Sequence, residues 1–541
     1  MSSIINGFTS EKFTARWLPL VGVATMAALK LAWLGVGGVP FNSDEAVVGL
    51  MARHILQGER PIFFYGQAYL GSLDAWFVAG AFAVFGESVL AIRLVQIMLY
   101  ALTLLTTYHL ALKIYANVRL ARIALVLLVV PTPLLTLYTT ATLGGYGETL
   151  VFGNSLLLLA LDLSERERPT WQWILFGFLG GLGFWTFPLI IIYLIPAIGY
   201  VLFRRRWAIV AWLMFLGGAL MGASPWLVFT FQNGWVTVQE TGGSAIAGAS
   251  PLNPIFSIFG HTFNFLLFGL TVLAGVRPPW RGDFIALPLA PLPLALYTAL
   301  FVFIARHLSQ PQGAKPGSWL LLGVGVMNIA GFILTPFGVD PSGRYFLPLA
   351  VMMAVFMAEM LTEAIRLRSQ QWIGRVLALC LVAFNFLGNA EGALTQPPGI
   401  TTQFDQVAQV DHRHLPELIQ FLRDHGETRG YTNYWVEFPL AFLTQEEMVF
   451  VARLPYHEDL RYTPRDSRYA PYEASVRASA RVAYITTQHL ALDERLRTEF
   501  AARGVAFSEQ KIGDYQVFYA LSRPIAPEEM GLGVECCATL P

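Results

Sequence analysis

Charge is scarce in this chain and evenly balanced: 36 Lys and Arg stand against 36 Asp and Glu in 541 residues. A net charge of zero gives no case for nucleic-acid binding, so any electrostatics that matter must be local. Cysteine is scarcer still. Three residues make no disulfide framework, because Cys380 lies in an apolar run and the neighbours Cys536 and Cys537 are too close to bridge easily. The redox compartment stays open. No P-loop occurs, in keeping with chemistry that does not draw on ATP. No internal repeat is apparent, and the one low-complexity feature, the Gly, Ala and Ser run 241–250, reads as a flexible loop.

What fills the chain instead is apolar surface: 55% of residues are hydrophobic and the mean hydropathy is +0.52. Such a composition excludes an ordinary soluble protein and indicates a polytopic α-helical membrane protein. Lys12 and Arg16 precede an apolar run over 17–36 with no small-residue cleavage site, so this reads as an uncleaved signal anchor with its start inside. Lys30 within that run is expected to snorkel toward the outer end. Further spans are expected at 89–112, 123–138, 150–163, 171–187, 189–203, 208–226, 287–304, 319–334, 345–365 and 372–387, about eleven in all. The basic residues of the intervening loops, among them Lys113, Arg119, Arg122, Arg204, Arg205, Arg206 and Arg375, then fall on the side of Lys12. Segment 255–276 is apolar enough to cross, yet a crossing would move every later basic loop outside, so it is expected to be an external re-entrant or interfacial element.

The same parity places residues from about 393 onward outside. There the charges become frequent and the long apolar runs stop, which marks a separate soluble domain. Its patterning predicts helices at 415–425 and 493–502 and strands at 448–452, 481–486 and 515–520, an α/β unit. The division expected is therefore a membrane domain 1–392, with a first external loop 38–88, and an extracytoplasmic α/β domain 393–541. The tail has no Gly-rich nucleotide loop, no metal-ligand spacing and no nucleophile elbow. Its Tyr431, Tyr434 and Trp435 belong either to a glycan or acceptor groove or to the core.

The most informative stretch is PFNSDEA at 40–46, where two adjacent carboxylates stand at the outer end of the first span. Asn42 and Glu45 have capping-box spacing, and Val47, Val48, Met51 and Ile55 recur at helical intervals, which predicts an amphipathic helix lying at an interface. On a helical wheel Asp44 falls near the centre of the apolar stripe and Glu45 about a quarter turn away. An inward carboxylate at a helix N-terminus is held ionised by free N–H groups and the helix dipole, which suits a general base or a cation ligand. Simple capping by both acids is the alternative.

An acidic pair after the first span, an interfacial helix, and then the aromatic and Gly-rich run from Tyr65 to Asp74 resemble the first external loop of GT-C glycosyltransferases. Within that fold the chain is most similar to the bacterial branch related to protein O-mannosyltransferases and aminoarabinose transferases. The resemblance implies a multi-pass protein of the bacterial plasma membrane that takes a sugar from a polyprenyl-phosphate carrier. It gives the role of base to Asp44, with Glu45 beside it. It also implies no cofactor, although a divalent cation at the acidic pair is chemically possible.

Other residues on the external face fit the same chemistry. Tyr65, Gln67, Tyr69 and Asp74 mix flat rings with hydrogen-bonding groups, as a sugar requires. Tyr146 and Glu148 follow two glycines that would let the backbone approach a ligand. Arg344 and Tyr345 lie in a segment that resembles the Arg-Tyr-x-Leu-Pro run of the family, and a guanidinium there can clamp a departing phosphate; the alternative is an ion pair with Asp340. Arg93 is the second phosphate candidate, with pairing to Asp74 or Glu87 as its alternative. Isolated His261 reads as structural. The expected function is inverting sugar transfer to an extracytoplasmic lipid, glycan or protein acceptor. The rivals are a transporter or flippase of lipid-linked sugars, or a GT-C scaffold without catalysis.

Overall fold

The computed structural model describes residues 2–240, 254–309, 315–366, 371–395 and 397–533. Run 241–250, Cys536 and Cys537 lie outside the described residues. The chain forms two compact units: one comprises residues up to Gly38, Tyr69–Asp74 and Arg93–Leu394, and the other Val39–Ala68, Ala75–Ile92 and Thr395 onward. Most of the first loop thus clusters with the C-terminal part. β1 (Phe63–Phe64) and β2 (Gln67–Gly71) form a two-stranded sheet.

The first unit is helical. Eight helices among the described residues are long and apolar enough to cross a membrane, and each falls where a span was expected: Trp17–Gly35, Val89–Tyr115, Tyr146–Glu165, Pro188–Arg205, Leu287–Arg306, Pro316–Leu334, Arg344–Glu363 and Trp372–Leu394. The other three expected spans take different forms. Segment 123–138 is broken into Val118–Val129 and Pro133–Tyr138, because Pro131 and Pro133 cannot continue the ladder of amide donors. The carbonyls freed at Val130 and Pro131 accept from the side-chain amides of Asn385 and Asn389 at 3.0 and 2.7 Å, as an apolar surrounding demands. Thr170–Thr186 is a continuous helix of 17 residues. Ile209–Gly222 and Ser224–Asn233 form a pair bent by 61° where Pro225 follows the break. Segment 254–273 is helical throughout, with a π-turn at Phe265–Gly269.

Glycine sets the closest helix contact of this unit. A Cβ at Gly177 would lie 1.9 Å from the Phe215 carbonyl oxygen, and one at Gly218 would lie 2.1 Å from that of Ile174. The backbones of Thr170–Thr186 and Ile209–Gly222 touch with no side chain between them. Lys30 departs from expectation. Its amine is buried and donates to the Thr139 carbonyl and hydroxyl, both at 2.7 Å, and to the Thr140 hydroxyl at 2.8 Å. Three local acceptors replace water, so the amine has no need to reach the membrane surface.

In the second unit a five-stranded sheet runs in the order β4-β3-β5-β7-β6, with β3 at Arg429–Thr432, β4 at Val449–Ala452, β5 at Ala483–Thr487, β6 at Ser508–Ile512 and β7 at Tyr515–Tyr519. β3 is parallel to β4 and β5, whereas β7 is antiparallel to β5 and β6. Its core includes Leu418, Leu422, Leu440, Phe450, Ile485 and Val517. The helices Leu415–Asp424 and Leu490–Ala502 and strands β4, β5 and β7 match the sequence reading; β3, β6 and the helices Tyr434–Leu443 and Ala470–Arg477 are additions to it.

Candidate active site

The helix Ser43–Leu56 begins as its sequence predicts. The Asn42 side chain accepts the Glu45 N–H at 3.1 Å, and the Glu45 carboxylate accepts the Asn42 N–H at 3.4 Å, closing the capping box. Its surroundings differ from the expectation of a helix lying at an interface. From Glu45 to Ile55 every residue is buried, Arg53 and His54 included, chiefly against the Tyr434–Leu443 helix. A Cβ on Gly49 would meet the Phe442 ring at 2.7 Å.

Enclosure also reverses the expected burial of the acidic pair. Glu45 is fully buried, while the Asp44 side chain keeps 25% of its surface. The wheel assumed one buried face, and here the covering residues come from the far end of the chain. Asp44 Oδ1 accepts from the Tyr434 phenol at 2.5 Å and lies 3.4 Å from Arg468 Nη2. Asp466, two residues before Arg468, is buried; desolvation lifts its carboxyl to about 7, with Arg468 opposing and Asp44 adding to the rise.

Below the cap, Arg53 donates to Glu87 and to Glu446, and His54 bridges Tyr65 at 2.9 Å and Glu446 at 3.1 Å. Glu87 is thus engaged by Arg53. The Tyr65 hydroxyl donates to Glu59 at 2.8 Å, and its ring stacks on Tyr469 with centroids 4.7 Å apart. Gln67 is half-buried in the same unit.

Tyr69, Asp74, Arg93, Tyr146, Glu148, Arg344 and Tyr345 belong to the first unit. Asp74 is buried and accepts from Gln96 Nε2 at 3.0 Å and from the Thr142 hydroxyl. Glu148 is fully buried, with its carboxyl beside that of Asp74. Tyr146 is packed edge-on between Tyr138 and Phe187, and Arg93 is buried near the start of its helix. Tyr69 is half-buried.

Arg344 makes the ion pair with Asp340, at 2.6 Å, and lies over the Tyr345 ring at 5.1 Å; its Nε keeps no partner. Nearby, Arg277 is buried and donates to the carbonyls of Pro341 and, at 2.9 Å, of Arg281. Burial lowers its guanidinium to about 10, while the Asp340 charge pulls the other way. His261 is buried and its Nδ1 lies 2.9 Å from the Ile333 carbonyl, a structural contact. Among the described residues no group of three or more His, Cys, Asp or Glu side chains is placed to hold a metal ion.

The architecture has counterparts among solved structures. ArnT from Cupriavidus metallidurans bound to undecaprenyl phosphate superposes with a TM-score of 0.59, covering 92% of this chain and 97% of that one at 13% identity. This is a GT-C fold. The oligosaccharyltransferase of Archaeoglobus fulgidus in its apo form follows the GT-C chain at a TM-score of 0.52 over 88% of this chain and 70% of that one, with 12% identity. In sequence, the profile of the family described as dolichyl-phosphate-mannose-protein mannosyltransferase matches residues 72–229. The chain is 28% identical over 338 residues to an undecaprenyl phosphate-alpha-4-amino-4-deoxy-L-arabinose arabinosyl transferase of Pseudomonas paraeruginosa, covering 57% of this chain and 53% of that protein. A protein of the same description from Pseudomonas aeruginosa is 31% identical over 146 residues, 24% of this chain and 25% of its own. The chain thus spans about half the length of the first of these relatives and a quarter of the second. With its apolar helices, this GT-C chain is a multi-pass membrane protein.

Sequence reasoning missed Tyr434 as a partner of Asp44, and missed Arg468 altogether. No local period or spacing links residues so far apart. The one available signal was the aromatic Tyr434-Trp435 pair, which reads equally well as core.

Proposed function

We propose that this protein transfers a sugar from a polyprenyl-phosphate donor to an acceptor on the outer side of the bacterial plasma membrane, with inversion at the anomeric carbon. The observation that carries the reading is Asp44: a carboxylate in the first turn of a capped helix, partly open, with one oxygen anchored. The names of the relatives point the same way, since one is an undecaprenyl-phosphate aminoarabinose transferase and another was solved with undecaprenyl phosphate bound.

In this reading an acceptor hydroxyl or amine attacks the anomeric carbon from the face opposite the phosphate. Its proton passes to Asp44, the glycosidic bond to the phosphate oxygen breaks, and the electron pair leaves with the polyprenyl phosphate. Arg344 is assigned to the departing phosphate, since its Nε donor is free of protein partners and a guanidinium gains most as negative charge develops. Arg93 is kept as the second phosphate residue. Tyr65, Gln67, Tyr69, Asp74, Tyr146, Glu148 and Tyr345 are assigned to the sugar and acceptor. The N-terminus is cytoplasmic and the α/β part extracytoplasmic, following the basic loops.

The test uses the purified full chain in liposomes with a panel of radiolabelled polyprenyl-phosphate sugars and native membrane acceptors. Label should move to an acceptor with wild type and not with Asp44→Asn, which should retain its fold. Unchanged turnover by Asp44→Asn would remove the base assignment. The resemblance implies no metal requirement, so transfer should persist in excess EDTA.

A further inference from the structure

We propose that the α/β part supplies two positioning residues to this reaction, Tyr434 and Arg468, which hold Asp44 Oδ1 so that Oδ2 is left to receive the acceptor's proton. The inference rests on Asp44 as the base and adds what aims it.

The local sequence explains why both residues stand where they do. β3 ends at Thr432, and the next residue, Asn433, caps the following helix by accepting the Trp435 N–H at 3.0 Å. Tyr434 therefore occupies the first helical position, at the carboxyl end of a parallel strand, where open α/β sheets commonly present functional side chains. Its carbonyl accepts the Ser43 hydroxyl at 2.5 Å and its phenol donates to Asp44 at 2.5 Å. One tyrosine thus grips two consecutive residues of the capped turn.

Arg468 is fixed from several sides. Its guanidinium lies over the Tyr434 ring at 4.5 Å and over the Phe64 ring at 5.2 Å, and its side chain is 9% exposed. Gly66, with φ at +70°, passes so close that a Cβ there would be 3.1 Å from the Arg468 Cα. Glycine at 66 is thus required both by its backbone angle and by the neighbour it covers.

Both donors address one carboxylate oxygen. A short phenol-to-carboxylate hydrogen bond is among the stronger kinds available, and the guanidinium held 3.4 Å away as an ion pair on the same oxygen adds to the restraint on rotation about the Cβ–Cγ bond. A base must point its free oxygen at the proton it takes, and small misplacements there cost large factors in rate.

The experiment measures steady-state transfer by the full-length protein in liposomes. It uses the radiolabelled polyprenyl-phosphate sugar that the donor panel identifies. Tyr434→Phe and Arg468→Met should each lower kcat roughly 10- to 100-fold with the donor KM within about twofold of wild type. Arg468→Lys, which keeps the charge, should recover part of the loss, and thermal unfolding of all three should stay near wild type. Wild-type kcat in Tyr434→Phe and Arg468→Met, beside an inactive Asp44→Asn, would overturn the positioning role and leave the base standing. A loss that appears only in KM or in unfolding temperature would overturn it too. Full activity of Asp44→Asn would overturn both readings, and that one variant tells the two failures apart.

Discussion

The phenol of Tyr434 meets the carboxylate of Asp44 at 2.5 Å although 390 positions separate them in the chain. A catalytic candidate in the first loop is therefore completed by a residue from the C-terminal α/β part of the same unit. The Ser43–Leu56 helix, with its cap, is the platform for that contact, and its stability is the first thing to perturb.

Asn42→Ala removes the side chain that accepts the Glu45 N–H and half of the capping box. The expected cost is about 1 kcal/mol, seen as a lower unfolding temperature in detergent. Transfer should fall further than stability does, because Asp44 sits two residues from the cap. Asn42→Ser, which keeps a capping oxygen, should restore most of both.

Two acids of this unit, half-buried Glu446 and buried Asp466, give stability opposite dependences on pH. Burial pushes Glu446 up, but hydrogen bonds from His54 and Tyr472 and the charges of His54 and Arg53 outweigh it and hold the carboxyl at about 2 against an ordinary 4.5. A depressed acid contributes stability above its unfolded value and loses it as pH falls, here between 4.5 and 2. Glu446→Gln should lower the melting temperature at neutral pH and flatten its decline across that window.

Asp466 behaves in reverse. Its carboxyl, raised from 3.8 to about 7, favours the folded state when neutral, so its contribution is complete below 3.8 and is lost as pH climbs toward 7. Asp466→Asn should match wild type near pH 4 and melt higher than wild type at pH 8. A constant difference across this range would contradict the assignment.

The glycine contact of the first unit offers a controlled comparison on one helix pair. Gly177→Ala places a methyl group against the Phe215 carbonyl and should destabilise by about 1–3 kcal/mol or more, read as loss of monodisperse protein. Gly217, on the partner helix, faces open space. Gly217→Ala should be neutral, or stabilising by up to about 1 kcal/mol.

Lys30→Met tests the buried amine. Removing three donated hydrogen bonds strands the acceptors of Thr139 and Thr140, with an expected cost of about 1–3 kcal/mol. A snorkelling lysine would lose almost nothing.

Much of this was legible in the chain. Eight helices long and apolar enough to cross a membrane, the capping box at 42–45 and three strands of the sheet follow from periodicity, propensity and turn chemistry, which act over a few residues. The misreadings share one cause. A helical wheel turns Asp44 inward and Glu45 to the margin because it sees only its own segment, whereas the Ser43–Leu56 helix is buried from Glu45 to Ile55, chiefly against the Tyr434–Leu443 helix. Lys30 was sent to the surface because its acceptors sit more than a hundred residues away. The Tyr434–Leu443 helix is hidden in the sequence because Pro439 lies inside it and its residues are buried on several faces, which blurs a 3.6-residue period.

The enclosure of the Ser43–Leu56 helix has a consequence for biogenesis. At ribosomal speeds of roughly 5–20 residues per second, the Tyr434–Leu443 helix and Arg468 that pack beside it are synthesised well after it, on the order of tens of seconds later. Throughout that interval Arg53 can meet Glu87 but not Glu446, and His54 can meet Tyr65 but not Glu446. The candidate segment is thus an early-made piece that waits, and the later synthesis of residues 434–472 is what supplies its partners.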